Sequence, residues 1–136
     1  KRKDAIEIIK TMTNAKDIEK SKLIARCLDS NMLLIDRVDA LKLINVLAKE
    51  EIPKKAEYIS DVLNKIPLNI DAMGYIKTIS EAKGIPQAEY VMKLICQGNE
   101  EILNMEDNLS YIQMIASAKE GFQAKYISKI IRLFID

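Results

Sequence analysis

The sequence predicts an all-α protein, a right-handed α-solenoid of four helix-turn-helix repeats with about eight helices. Three observations lead there. The stretch "YIKTISEAKGIPQAEYVMKLI" from Tyr75 returns 36 residues later as "YIQMIASAKEGFQAKYISKII" from Tyr111, with ten of 21 positions identical. Weaker copies lie upstream, from Asp4 and from Asp39, and shifts of 35, 32 and 36 bring all four into one register. Only four Gly and three Pro interrupt a chain rich in Leu, Ile, Lys, Ala and Glu, the residues that lose least on entering a helix.

The elements follow in order. Helices are expected at 4–14, 18–29, 39–50, 54–65, 71–83, 86–97, 107–119 and 122–134. Asp4, Asp39, Asp71 and Asp107 open the four units, each where a helix N-cap belongs. Behind them stand the columns Ile8, Leu43, Tyr75, Tyr111, then Ile9, Ile44, Ile76, Ile112, then Met12, Leu47, Ile79, Ile115. That spacing marks one helical face, and each column stays apolar. A polar break follows, with Ile85-Pro86 and Glu120-Gly121 as its clearest punctuation. In the second helix Ser21, Ala56, Ala88 and Ala124 form a small-residue column where helices can approach closely. Leu23, Tyr58, Tyr90, Tyr126 and then Cys27, Val62, Leu94, Ile130 continue the stripe. All five tyrosines fall in two columns and are expected to be core or half-buried packing residues. The stretch "GNEEILNME" is longer than its counterparts and is expected to add a turn.

No unit can bury its stripe alone, so neighbours must stack. The whole chain, 1–136, then reads as a single helical-repeat domain with repeats at about 1–35, 36–70, 71–106 and 107–136. It begins at Lys1, without an initiator Met or polar caps on its outer units, and is expected to be a segment of a longer protein or to have an end covered by dimerisation.

In unit length and two-helix design the repeats resemble the tetratricopeptide and pentatricopeptide class of helical hairpins. "SEAKGIPQAEY" is similar to the turn and Ala-rich second helix of pentatricopeptide units. The Trp and Leu-Gly pair usual in tetratricopeptide units have no counterpart here. The resemblance is one of architecture, and it implies a stacked array without transferring a function.

The chemistry of the side chains argues against an enzyme. There is no His, hence neither the commonest general base nor the commonest metal ligand. Cys27 and Cys96 are far apart in sequence, so no typical zinc site arises, and free buried thiols are expected. Cys27 sits in a core column, a poor place for a nucleophile. No Gly-rich phosphate loop occurs. The pairs Glu50-Glu51 and Glu100-Glu101 are expected to be solvated helix ends or turns. No catalytic residue, metal or cofactor is assigned.

Function is expected where the copies differ. Lys10 and Asn14 in the first unit correspond to Lys42, Asn45 and Lys49 in the second and to Lys77, Thr78 and Glu81 in the third. Gln113, Met114 and Ser117 complete the face in the fourth. Stacking would align these residues along one surface, and they are the candidate partner-binding residues. A peptide or partner helix is the expected ligand, in a scaffold or protein–protein interaction role. The alternatives are a nucleic-acid-binding array and a structural spacer. For nucleic acid the candidate stripe combines Lys10 and Lys77 with the columns Lys16, Glu51, Lys83, Lys119 and Lys20, Lys55, Gln87, Gln123. Against it stand a net charge of +1 and only three Arg. No membrane span is expected, and a cytoplasmic location fits the unpaired cysteines.

Overall fold

The computed structural model describes residues 2–15, 17–66, 71–97 and 107–135. Among them are eight α-helices, one short 3₁₀ turn and no strand. The helices are α1 (Arg2–Thr13), α2 (Ile18–Ser30), α3 (Ala40–Lys49), α4 (Pro53–Lys65), α5 (Ala72–Glu81), α6 (Ile85–Gln97), α7 (Asn108–Ser117) and α8 (Gly121–Ile135). The 3₁₀ turn, Leu34–Asp36, was not foreshadowed by the repeats, and its Leu34 is buried. The expected extra turn in "GNEEILNME" and the polar-column residue Lys16 lie outside the described residues.

Packing runs in two series. Helices α1, α3, α5 and α7 touch one another in turn, and so do α2, α4, α6 and α8. Each helix also packs against its sequence neighbour within the hairpin, and α2, α4 and α6 touch the first helix of the following hairpin. The apolar columns supply this contact, with Leu43, Ile44, Leu47, Ile76, Ile79, Ile112 and Ile115 all inaccessible to solvent. Ala56, Ala88 and Ala124 are buried where small side chains let helices close up.

The aspartate column plays several parts. Asp71 caps α5, accepting the Gly74 N–H at 3.2 Å. The Asp39 carboxylate turns instead to the Arg37 guanidinium, with Nε at 2.8 Å from one oxygen and Nη2 at 3.2 Å from the other. Such a two-pronged charged contact outweighs a single cap bond, and it holds the Asp39 carboxyl below its ordinary range. Asp107 stands at the start of α7 with no side-chain cap bond, and α1 begins ahead of Asp4. Asp17, outside the column, caps α2 through the Lys20 N–H at 2.9 Å.

The first helices end alike. Ala15, Glu50, Ala82 and Ala118 each donate their N–H at 3.3 Å to the carbonyl three residues back. Glu50, Ala82 and Ala118 have extended backbone there, and no described residue has positive φ. The turns therefore need no left-handed glycine. Gly121 serves close approach instead, since a Cβ there would lie 2.8 Å from Cβ of Pro86 in the preceding hairpin.

A polar side chain joins each hairpin to the next. Lys20, third residue of α2, donates its ammonium to the carbonyls of Glu50 and, at 3.3 Å, Ala48. Lys55, third in α4, reaches the carbonyls of Ser80 at 2.9 Å and Ala82 at 2.7 Å. Gln87, third in α6, donates to the Ala118 carbonyl at 2.9 Å. All three side chains are buried. They satisfy carbonyls that a helix C-terminus otherwise leaves without donors, and a cation is favoured at that end of the helix dipole. The column read as a possible phosphate-tracking stripe is, at these three positions, a set of clamps between hairpins.

Candidate functional site

The first helices expose one side along the array, and hollows open between them. The larger, of about 1020 Å³, lies between the first two hairpins. Lys10 of α1, Asn14 just past its end, and Asn45 and Lys49 of α3 line it, so the structure brings four of the candidate residues together. Thr11 spans its floor, donating to the Glu7 carbonyl at 2.9 Å and lying 3.2 Å from Oδ1 of Asn45. A smaller hollow of about 450 Å³ lies between α3 and α5 and includes Lys49, Lys77 and Glu81. Lys49, Glu50 and Glu51 border both.

The remaining candidates are not gathered there. Lys42 on α3 and Gln113, Met114 and Ser117 on α7 are exposed but outside both hollows. Thr78 is buried, its hydroxyl donating to the Gly74 carbonyl at 2.7 Å, so it offers no surface to a partner. The bond turns its hydroxyl back into its own helix.

Residues that the sequence did not single out also line the larger hollow, among them Asp17 at the α2 N-cap, Glu19 on α2 and Glu57 on α4. Glu50 corrects an expectation. It is not a solvated turn residue but only 8% exposed, because the turn folds inward against α2. One carboxylate oxygen accepts the Ile52 N–H at 3.3 Å, while Oε1 has no hydrogen-bond partner. Six acidic side chains line this hollow, Glu7, Asp17, Glu19, Glu50, Glu51 and Glu57, against three basic ones, Lys10, Lys20 and Lys49. Of the three, the Lys20 ammonium is spent on backbone carbonyls, and Lys10 lies 3.5 Å from Glu7. Glu19 and Glu57 are paired in turn with Lys22 and Lys54, each at 3.4 Å, so the hollow's excess of negative charge rests on Asp17, Glu50 and Glu51.

Four of the tyrosines pack as expected. Tyr75 is buried and its hydroxyl accepts from Nδ2 of Asn108 at 2.9 Å, while Tyr58, Tyr90 and Tyr111 are half-buried. Tyr126 departs from its column at 59% exposure, with no helix packed over it among the described residues.

Both cysteines are free thiols. Cys27 lies against Ser60, Sγ to Oγ 3.2 Å, and burial raises its pKa above the ordinary 9.0. Burial pushes Cys96 up to about 11, more than the nearby Lys65 offsets. A thiol of that pKa is roughly 0.1% ionised at pH 8. In the native chain both should therefore react with Ellman's reagent at least about tenfold more slowly than in urea at pH 8. Rapid reaction of the native chain would contradict this burial. The unfolded thiol releases its proton first as pH rises. The stability Cys96 confers is accordingly full below pH 9 and lost between there and about 11.

Among the described residues no group of three or more metal-ligating side chains is placed to hold an ion, and no helix is long and apolar enough to cross a membrane. Comparison with protein-family models, with curated proteins and with solved structures finds no match to this chain.

Proposed function

We propose that the chain is a right-handed solenoid of four helical hairpins and serves as a non-catalytic interaction module. Its first-helix face binds an extended segment or a helix of a protein partner, and the segment is basic. One observation carries this: the hollow that collects Lys10, Asn14, Asn45 and Lys49 is lined by six acidic groups against three basic ones. A Lys or Arg side chain entering it meets the exposed carboxylates of Glu51 and Glu57. Charge complementarity of this kind sets partner choice and association rate more than raw affinity.

The same observation disfavours a polyanion. Lys20 and Lys55, needed for a phosphate-tracking stripe, have their ammonium groups bonded to carbonyls inside the array. A cytoplasmic setting belongs to this proposal, supported by the two free thiols.

The test is fluorescence anisotropy with a labelled peptide of alternating Lys and Ser, beside a single-stranded RNA of equal length. The peptide is expected to bind at low salt, and Glu51→Lys combined with Glu57→Lys to weaken it about tenfold. Retention of the RNA with no binding of the peptide would sink the proposal.

A further inference from the structure

The two hollows on the first-helix face lie on either side of α3 and differ in chemistry. The larger is acidic through Asp17, Glu50 and Glu51. The smaller offers Val46 and Ile52 as apolar surface, with the stems of Lys49 and Lys77 beside them. Lys49, Glu50 and Glu51 form the wall common to both, so a chain crossing α3 enters one hollow and then the other. Glu50 in that wall is 8% exposed, and its Oε1 has no hydrogen-bond partner among the described residues.

Ile52 is out of place by local preference. It stands at the N-cap of α4, where Asn, Asp or Ser is favoured, makes no side-chain cap bond and is 39% exposed. Its counterparts in the other turns, Asp17, Gly84 and Glu120, are polar or small. Local preferences are broken chiefly at functional or strained positions, and the Ile52 backbone is in the ordinary extended region.

Spacing decides what chain can use both hollows. Helices α1, α3 and α5 pack in turn, and packed helices lie about 8–10 Å apart, so the hollows are one such step apart. A polyproline II chain rises about 3.1 Å per residue with three residues per turn, which puts residues i and i+3 on one side about 9 Å apart. In a β-strand the third residue faces away. An α-helix needs about seven residues to cover the step on one side.

We propose that the ligand is a polyproline II segment, with a Lys or Arg in the larger hollow and an apolar residue three positions from it in the smaller one. This rests on the proposed binding of a basic segment at the same face, and adds its conformation and its second anchor.

Fluorescence anisotropy tests it with the 136-residue chain and labelled peptides. Each peptide has one core, Lys-Pro-Pro-Leu, Leu-Pro-Pro-Lys or Lys-Pro-Pro-Ser, with alternating Lys and Ser continuing on its lysine side. One of the leucine cores is expected to bind at least about tenfold tighter than the serine core, through burial of the leucine. Moving the leucine to two or four residues from the lysine should remove that gain. In Ile52→Asn the ratio of leucine-core to serine-core affinity should fall to about 1, while a favoured N-cap residue keeps the helicity of the parent. Equal binding of leucine and serine cores overturns this inference, yet leaves the basic-segment proposal standing if the alternating Lys and Ser peptide binds. A gain that comes only from a leucine seven residues away also overturns it and marks a helical partner. If no peptide binds, both proposals fall.

Discussion

Replacing Lys55 with alanine is expected to lower the unfolding free energy by about 3–6 kcal/mol, from two charge-assisted bonds lost at roughly 1.5–3 kcal/mol each. The side chain is 5% exposed, and its ammonium bonds the carbonyls of Ser80 near the end of α5 and of Ala82 at its C-cap. Without it those carbonyls stay buried and lack a donor, while the helix dipole loses its cation. Two further variants isolate the cause. Lys55→Met keeps most of the aliphatic stem and should fall close to alanine. Lys55→Gln should retain a single bond, as Gln87 makes at the next junction, and recover about half of the loss. Urea unfolding reads all three. If Lys55→Met were as stable as the parent, the bonds would contribute nothing and the clamp would be packing alone.

Leu94→Ala is expected to cost about 2–5 kcal/mol, the range for a fully buried leucine whose cavity cannot collapse. The same change at Ile130, in the same sequence column, should cost less than about 0.5 kcal/mol in dilute solution, as for other exposed positions. Leu94 is inaccessible, whereas Ile130 is 53% exposed. Leu94 also lies on α6, which packs against helices on both sides, so its loss weakens the middle of the array. Cooperativity between hairpins passes through such junctions, and the unfolding transition of Leu94→Ala should broaden accordingly. Equal effects at the two positions would show that column membership, not docking, sets the energetics.

That pair also shows why the sequence was legible in part. A helix repeats its apolar face every 3.6 residues and each hairpin docks in the same way, so the core columns of Leu43, Ile76 and Ile112 stood out as recurring letters. The letters say what a position is for, not whether a neighbour is present. Tyr126, Ile130 and Ile9 therefore read as core and are exposed. The clamps were hidden for the opposite reason. Lys20, Lys55 and Gln87 have the composition of a solvated face, and their burial depends on where the next helix ends. Their one legible signal was shared chemistry, a long side chain ending in N–H at a fixed place in the first turn. On the candidate site, spacing alone brought Lys10, Asn14, Asn45 and Lys49 to one face, which the structure gathers in one hollow. Half of the acidic groups beside them, Asp17, Glu50 and Glu51, lie between helices, where direction is decided by docking, as Glu50 illustrates. Thr78 escaped because a threonine hydroxyl can satisfy itself on the carbonyl four residues back.

The division of the clamp between hairpins also bears on inheritance. A backbone carbonyl is supplied by every residue type, so no point mutation can delete the acceptor. Only the donor is exposed to drift, and both Lys and Gln fill that place within this chain. Loss or duplication of one whole hairpin by recombination thus leaves a working joint. Excision of residues 36–70, for instance, would set Lys20 against the carbonyl of Ala82 that Lys55 now holds. A change of length by whole hairpins is therefore expected to keep a donor facing a carbonyl at the new seam.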